Sequence, residues 1–158
     1  MVEALRVLHQ EVSDAARVIE RKLPFALQCG RGCSGCCADG ITVFDVEADA
    51  IRAAHPELLE RGTPHPEGKC AFLDAAGACR IYDVRPYVCR TQGLPLRWED
   101  PEQGVEHRDI CPLNEGDGVD IVGLPVSACW TLGPTEARLA GMARTRVPLR
   151  SLFGASAQ

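Results

Sequence analysis

The sequence has 158 residues, of which 46% are hydrophobic and 25% are charged, and its net charge is −5. This composition is that of an ordinary globular protein, and it excludes a disordered or fibrous chain and two large domains. The acidic charge and the low aromatic content also argue against nucleic acid as a partner, because phosphate binding requires a basic surface. The sequence therefore predicts a single domain over residues 1–158.

The N-terminal segment predicts an amphipathic helix from about Val2 to Lys22. Apolar side chains such as Leu8 and Val12 recur there at spacings of three and four residues. Pro24 ends this helix. Charged residues interrupt the segment too often for a signal peptide, and no run of about 18 apolar residues occurs in the sequence. We therefore expect a cytoplasmic protein with no membrane partner.

The next part of the chain is predicted to be a loop followed by short regular elements. Phe25 to Gly40 has no helical period and is rich in glycine, so we expect a loop that encloses a bound group rather than an element of the core. A short strand is predicted over Ile41 to Phe44. Asp45 is the expected N-cap of a second helix that ends near His55, and a further helical turn over Glu57 to Glu60 closes at Gly62.

The second half of the chain alternates turns with weak element signals. Cys70–Leu73 and Ala78–Tyr82 predict a small hairpin, and Asp83 is expected to cap a short helix that runs to Arg90. We expect residues 91–118 to be largely irregular and the tail from Val147 to be loosely held. Two strands, over Val119–Val122 and Val126–Trp130, and a last helix, from Thr135 to about Thr145, complete the prediction.

Nine cysteines are the anomaly in this composition, since ordinary usage gives about two or three in such a length. In a reducing compartment they are metal ligands or redox groups rather than disulfides. Four of them lie in the nine-residue run CGRGCSGCC, where glycines allow several sulfurs to turn towards one centre. Side chains of adjacent residues diverge, so Cys36 and Cys37 either serve two centres, or one ligates and the other is buried or redox-active. The four cysteines of this run are Cys29, Cys33, Cys36 and Cys37.

The other cysteines are widely spaced, and no two of them form a second Cys-x2-Cys knuckle. A zinc ribbon normally takes two such knuckles, whereas an iron–sulfur cluster accepts three close thiolates and one distant one. The spacing therefore favours an iron–sulfur cluster slightly over zinc. Cys129 lies beside Trp130 in an apolar segment and is expected to be an ordinary buried cysteine. The remaining candidate ligands are Cys70, Cys79, Cys89 and Cys111.

The CxxxCxxCC loop, the string KCAFLDAAGACRIYDVRPYVCRTQGLPL and the later ICPLN resemble the YkgJ-type cysteine-cluster proteins. These are described as zinc- or iron-chelating domains related to a domain of flagellin lysine methylases. The resemblance covers Cys29 to Cys111, and its most distinctive part is GxCxIYxxRPxxCR. It implies metal binding by these cysteines and leaves any reaction open. In the family pattern two residues separate the first two cysteines, whereas three separate Cys29 from Cys33.

Two arginines of the distinctive string are candidates for a role around the metal. Arg85 and Arg90 flank Cys89, and a guanidinium donating to a sulfur would tune a metal centre. The alternative for Arg85 is a salt bridge to Asp83 or Glu47.

Taken together, the sequence predicts an α+β fold: a small, loop-rich, metal-stabilised domain with flanking helices and short strands. Residues 29–111 form its metal-binding region, and a protein partner is possible. Three functions stay open: an iron–sulfur protein in electron transfer or protein modification, a structural zinc module that binds a partner, and a metal-handling protein.

Overall fold

A computed structural model describes residues 2–116 and 118–154, and in these residues it shows an α+β fold with five α-helices and two small sheets. The predicted fold class is confirmed. The chain divides into two compact units. The first comprises Met1–Leu5, Gly30–Pro86 and Leu139–Gln158, and the second comprises Arg6–Cys29 and Tyr87–Arg138.

Short elements around one apolar cluster build the first unit. They are strand β1 (Thr42–Phe44), helices α2 (Asp45–Ala54) and α3 (Pro56–Arg61), and a C-terminal strand (Arg146–Pro148) that pairs antiparallel with β1. Ile51 and Phe72 are fully buried in this cluster, and Cys70 and Cys79 pack against its edge. The core of this unit therefore borders directly on two of the candidate ligands.

Helix α2 begins as predicted, but its cap differs. The N-cap is Phe44, whose N–H donates to the Glu47 carboxylate at 3.3 Å, and Asp45 is the first helical residue. The carboxylate of Asp45 instead accepts a hydrogen bond from the backbone N–H of Arg144 at 3.2 Å. The prediction of Asp45 as the cap was wrong because a residue from the distant C-terminal part supplies its donor.

The C-terminal tail is packed, contrary to the prediction from Val147 onwards. A 3-10 turn over Leu149–Leu152 follows the last strand, and Leu149 and Leu152 are 3% and 0% exposed. The ring of Phe153 lies 4.8 Å from that of Phe72. Residues 155–158 lie outside the described part of the chain, so the prediction was wrong for residues 147–154 only.

The predicted hairpin near Cys70 is present but shorter than predicted. Leu73 and Cys79 form one isolated antiparallel bridge, and the Asp74 side chain accepts the N–H groups of Ala76 and Ala78 in the turn between them. Asp83 does not cap a helix, since it lies inside a 3-10 turn over Tyr82–Val84.

The second unit contains most of helix α1 (Val2–Glu20), helix α4 (Tyr87–Arg90) and a three-stranded sheet. In α1, the predicted stripe buries Leu8 and Val12. Strands β2 (Leu96–Asp100) and β3 (Val105–Asp109) form an antiparallel hairpin, so the prediction that residues 91–118 are irregular was wrong.

The sheet gains its third strand, β4 (Trp130–Thr131), by parallel pairing with β2. Of the predicted strand over Val126–Trp130, only Trp130 belongs to β4, because Val126–Ala128 form a 3-10 turn. Val119–Val122 are not extended. The last helix, α5 (Pro134–Met142), starts one residue before the predicted Thr135, ends three residues before Thr145, and buries Leu139 completely.

Candidate metal centre

The glycine-rich loop forms two successive turns that carry three cysteines of the first unit. The Cys33 N–H donates to the Gly30 carbonyl at 3.0 Å, and the Cys37 N–H donates to the Ser34 carbonyl at 3.1 Å. Gly32, the third residue of the first turn, has φ of +91°, a conformation that residues other than glycine rarely adopt. Three cysteines of this loop form no disulfide and are half-buried, namely Cys33, Cys36 and Cys37.

Two contacts hold the hairpin near Cys70 against this loop. The Cys70 N–H donates to the Cys37 carbonyl at 2.9 Å. At the hairpin turn, a Cβ added to Gly77 would lie 3.4 Å from the hydroxyl of Ser34, so the two turns are in close contact. The antiparallel bridge to Leu73 then fixes Cys79 on the strand opposite. The structure thus brings thiols from two separate stretches of sequence to the same part of the first unit.

The thiols of this unit differ in acidity. A hydrogen bond from the Cys37 thiol lowers the pKa of Cys36 to about 6, against the opposing effect of burial, and the charge of Lys69 adds to the lowering. Burial raises the pKa of the Cys70 and Cys79 thiols. Cys36 is therefore ready to bind a metal as a thiolate at neutral pH, whereas Cys70 and Cys79 need a cation to take up their charge.

Arginines surround Cys79 and oppose the effect of its burial. The charges of Arg85, Arg31 and Arg80 all lower the pKa of this thiol. Arg31 and Arg85 both lie against the Tyr82 ring, with their guanidinium carbons 5.1 and 3.9 Å from its centroid. This cluster would offset the negative charge of a thiolate-rich centre.

The two predicted tuning arginines make other contacts as well. Arg85 donates to the Tyr82 carbonyl at 3.1 Å, while Asp83, one of its predicted partners, lies 3.9 Å from Arg31. Arg90, in the second unit, donates to the Ser13 hydroxyl at 3.3 Å. The charge of Arg85 acts on Cys79, and donation from Arg85 or Arg90 to a sulfur stays a prediction.

Three candidate ligands lie in the second unit, where Asn114 connects two of them. Its side-chain amide donates to the Cys29 sulfur at 3.3 Å and to the Gly93 carbonyl at 2.8 Å. Its backbone N–H donates to the Cys111 carbonyl at 2.8 Å. Cys89 lies on α4, a few residues before Gly93. Sequence reasoning missed Asn114, although it ends the ICPLN motif that carries the resemblance.

Cys129 differs from the other eight cysteines, which are half-buried. It is buried, at 4% exposed, and burial raises the pKa of its thiol. The guanidinium of Arg108 lies 3.7 Å from its sulfur. The prediction that Cys129 is an ordinary buried cysteine is confirmed in its burial.

The donor set has the chemistry that zinc and iron–sulfur clusters require, since thiolates are the preferred ligands of both. Five predicted ligands belong to the first unit, namely Cys33, Cys36, Cys37, Cys70 and Cys79, and three belong to the second, namely Cys29, Cys89 and Cys111. Among the residues that the structure describes, no three His, Cys, Asp or Glu side chains already converge as ligands of one ion.

Comparison with known proteins agrees with this chemistry. Residues 28–112 match the model of the CxxCxxCC family, described as "Putative zinc- or iron-chelating domain", over more than half of the 158-residue chain. This match confirms the resemblance found in the sequence. Neither a curated protein nor a solved structure matches the chain. Of the helices in residues 2–116 and 118–154, none has the length and apolar character needed to cross a membrane.

Proposed function

Because this chain belongs to the CxxCxxCC family of zinc- or iron-chelating domains, we propose that it binds its metal through cysteine thiolates of the first unit. The observation that carries this proposal is the hydrogen bond from the Cys70 N–H to the Cys37 carbonyl, which joins the two cysteine-bearing stretches. The ligands come from Cys33, Cys36, Cys37, Cys70 and Cys79. Further proposed ligands, on the resemblance and the spacing, are Cys29, Cys89 and Cys111.

The proposed centre is an iron–sulfur cluster in preference to a zinc ion. The single knuckle with distant further thiols is the spacing that such clusters accept. A cluster would supply one-electron chemistry, and the function would be electron transfer or an accessory step in protein modification. The chain's own residues provide a thiolate at Cys36 and a positive field around Cys79. The proposed setting is the reducing cytoplasm, where cysteine thiols stay available as metal ligands.

Metal handling is a second candidate, because one observation favours it. All the proposed ligands are half-buried, so an exchanging chelator or partner could reach them. In a structural zinc module, by contrast, the metal contributes directly to folding. A chelator that removes the metal without unfolding the protein would favour metal handling, and unfolding on chelation would favour the structural module.

Metal analysis of anaerobically purified protein tests the proposal. A cluster gives iron with acid-labile sulfide and broad absorbance above about 350 nm. Colourless protein with stoichiometric zinc would instead select zinc while retaining the thiolate site. We expect Cys36→Ala to reduce the metal content and Cys129→Ala to leave it unchanged, because Cys129 is buried away from solvent at 4% exposed. Wild-type metal content in Cys36→Ala, Cys70→Ala and Cys79→Ala alike would refute the site.

A further inference from the structure

The C-terminal segment, which lies beyond the residues matched by the family, is anchored firmly to the first unit. The Leu149 N–H donates to the Ile41 carbonyl at 2.9 Å, and the Gly154 N–H donates to the Leu59 carbonyl at 3.1 Å. Leu149 and Leu152 are buried in the core cluster. The backbone of Arg150, between these two leucines, is therefore held in place.

Arg150 binds the chain near the end of the glycine-rich loop. Its Nε donates to Asp39 Oδ1 at 3.0 Å, and its Nη2 donates to Asp39 Oδ2 at 2.8 Å, which makes a two-point ion pair. Asp39 follows Cys37 by two residues. Both side chains are 26% exposed, so water screens this pair less than a surface salt bridge.

The same guanidinium also donates hydrogen bonds to the backbone just before Cys70. Its Nη1 donates to the His65 carbonyl at 2.7 Å, and its Nη2 donates to the Lys69 carbonyl at 2.8 Å and the Pro66 carbonyl at 3.4 Å. The Asp39 carboxylate reaches the same turn, because its Oδ2 accepts the Gly68 N–H at 3.0 Å. One side chain thus ties the residue before Cys70 to the residues after Cys37.

We propose that Arg150 is a positioning residue of the metal centre, and that it fixes Cys37 and Cys70 at the separation that a shared metal needs. This inference rests on the proposed function. Only a guanidinium carries enough N–H donors, in a planar fork, to hold a carboxylate and several carbonyls together. Outer partners of this kind orient metal ligands, and their loss typically lowers metal affinity by about 10–100-fold.

Anaerobic titration of the reduced, metal-free protein with Co²⁺ tests the inference, because thiolate binding gives charge-transfer absorbance. We expect Arg150→Met to lower Co²⁺ affinity about 10–100-fold and to weaken the charge-transfer band at saturation, as a thiolate drops out of the site. The matched control is Arg146→Met. Arg146 bonds to Thr42 and lies 4.4 Å from the centroid of the Phe44 ring, so this variant should lose stability but keep the wild-type affinity and spectrum.

Two further readouts separate the possible failures. Asp39→Asn removes the charge that pairs with Arg150 and leaves the hydrogen bonds from Arg150 to the backbone carbonyls. We therefore expect a smaller loss of Co²⁺ affinity than in Arg150→Met. If Arg150→Met does not fold, Asp39→Asn tests the positioning role by itself. Wild-type protein without a thiolate band would refute the proposed function itself. If the wild-type protein binds Co²⁺, wild-type affinity and spectra in both folded variants would overturn the positioning role. Where Arg150→Met does not fold, wild-type affinity and spectrum in folded Asp39→Asn would overturn it.

Discussion

Gly93 should be the glycine of the second unit that tolerates a side chain least. Its φ is +94°, and a Cβ there would lie 2.9 Å from the sulfur of Cys29 and 3.0 Å from its Cβ. The left-handed conformation costs alanine about 1–2 kcal/mol. The buried side-chain amide of Asn114 donates to both Cys29 and Gly93, and displacing it together with Cys29 adds about 1–3 kcal/mol. We expect Gly93→Ala to lower the free energy of unfolding by about 2–5 kcal/mol.

Gly104→Ala is the matched control, because it has the same kind of backbone conformation without the contact. Its φ is +63°, and nothing lies within 4 Å of an added Cβ. Urea unfolding of the reduced, metal-free protein, followed by tryptophan fluorescence, measures both variants, since Trp98 and Trp130 both belong to the second unit. The expected difference between the variants is about 1–3 kcal/mol. Equal losses of stability would refute the packing of Gly93 against Cys29.

Three further predictions concern acidity and a buried contact. Hydrogen bonds from Arg150 lower the pKa of Asp39 to about 2, so the pair stabilises the fold fully above about pH 4 and loses this effect as the pH falls through about 2. Urea titrations should show that Asp39→Asn lacks this part of the acid dependence, and parallel curves would contradict it. In metal-free protein, alkylation of Cys36 should decline as the pH falls through about 6, because the neighbouring thiol donates to it; a midpoint near the ordinary value of about 8.5, measured by peptide mass spectrometry, would disprove this. Tyr87→Phe leaves the buried Trp130 N–H without the acceptor it has at 2.8 Å and should cost about 1–3 kcal/mol in urea unfolding, whereas an unchanged midpoint would argue against that bond.

Local patterns predicted the helices well. The spacing of apolar residues in α1 requires only neighbours within a few turns, and Leu8 and Val12 are buried as it predicted. Pro56 and Pro134 are the first residues of α3 and α5, and Pro24 follows the last residue of α1 by four positions, so these helix boundaries lie close to a local signal.

The hairpin of β2 and β3 escaped prediction because the one buried residue of its strands, Arg97, is charged. Arg97 is only 9% exposed, yet it is charged. It pairs across the hairpin with Glu106 at 2.7 Å and along its own strand with Glu99 at 2.9 Å. Hydropathy does not register a buried charge whose partner lies on another strand, so the segment looked irregular.

In the candidate site, too, local sequence features were predictable and contacts between distant residues were not. Cysteine spacing and the family resemblance supplied the candidate thiols without any structure, because these features lie within residues 28–112. Asn114 and Arg150 could not be found this way, since their partners Cys29 and Asp39 are 85 and 111 residues away. The one signal for Arg150 is its place between two leucines, which predicts burial but not the partner.

Metal protection of individual thiols tests the central claim most directly. Anaerobically purified protein is alkylated before and after a chelator removes its metal, and each cysteine is followed by peptide mass spectrometry. The account predicts that Cys36, Cys37, Cys70 and Cys79 react slowly with metal bound and rapidly after its removal, while buried Cys129 reacts slowly in both states. Equal rates for these four thiols with and without metal would contradict a metal centre in the first unit.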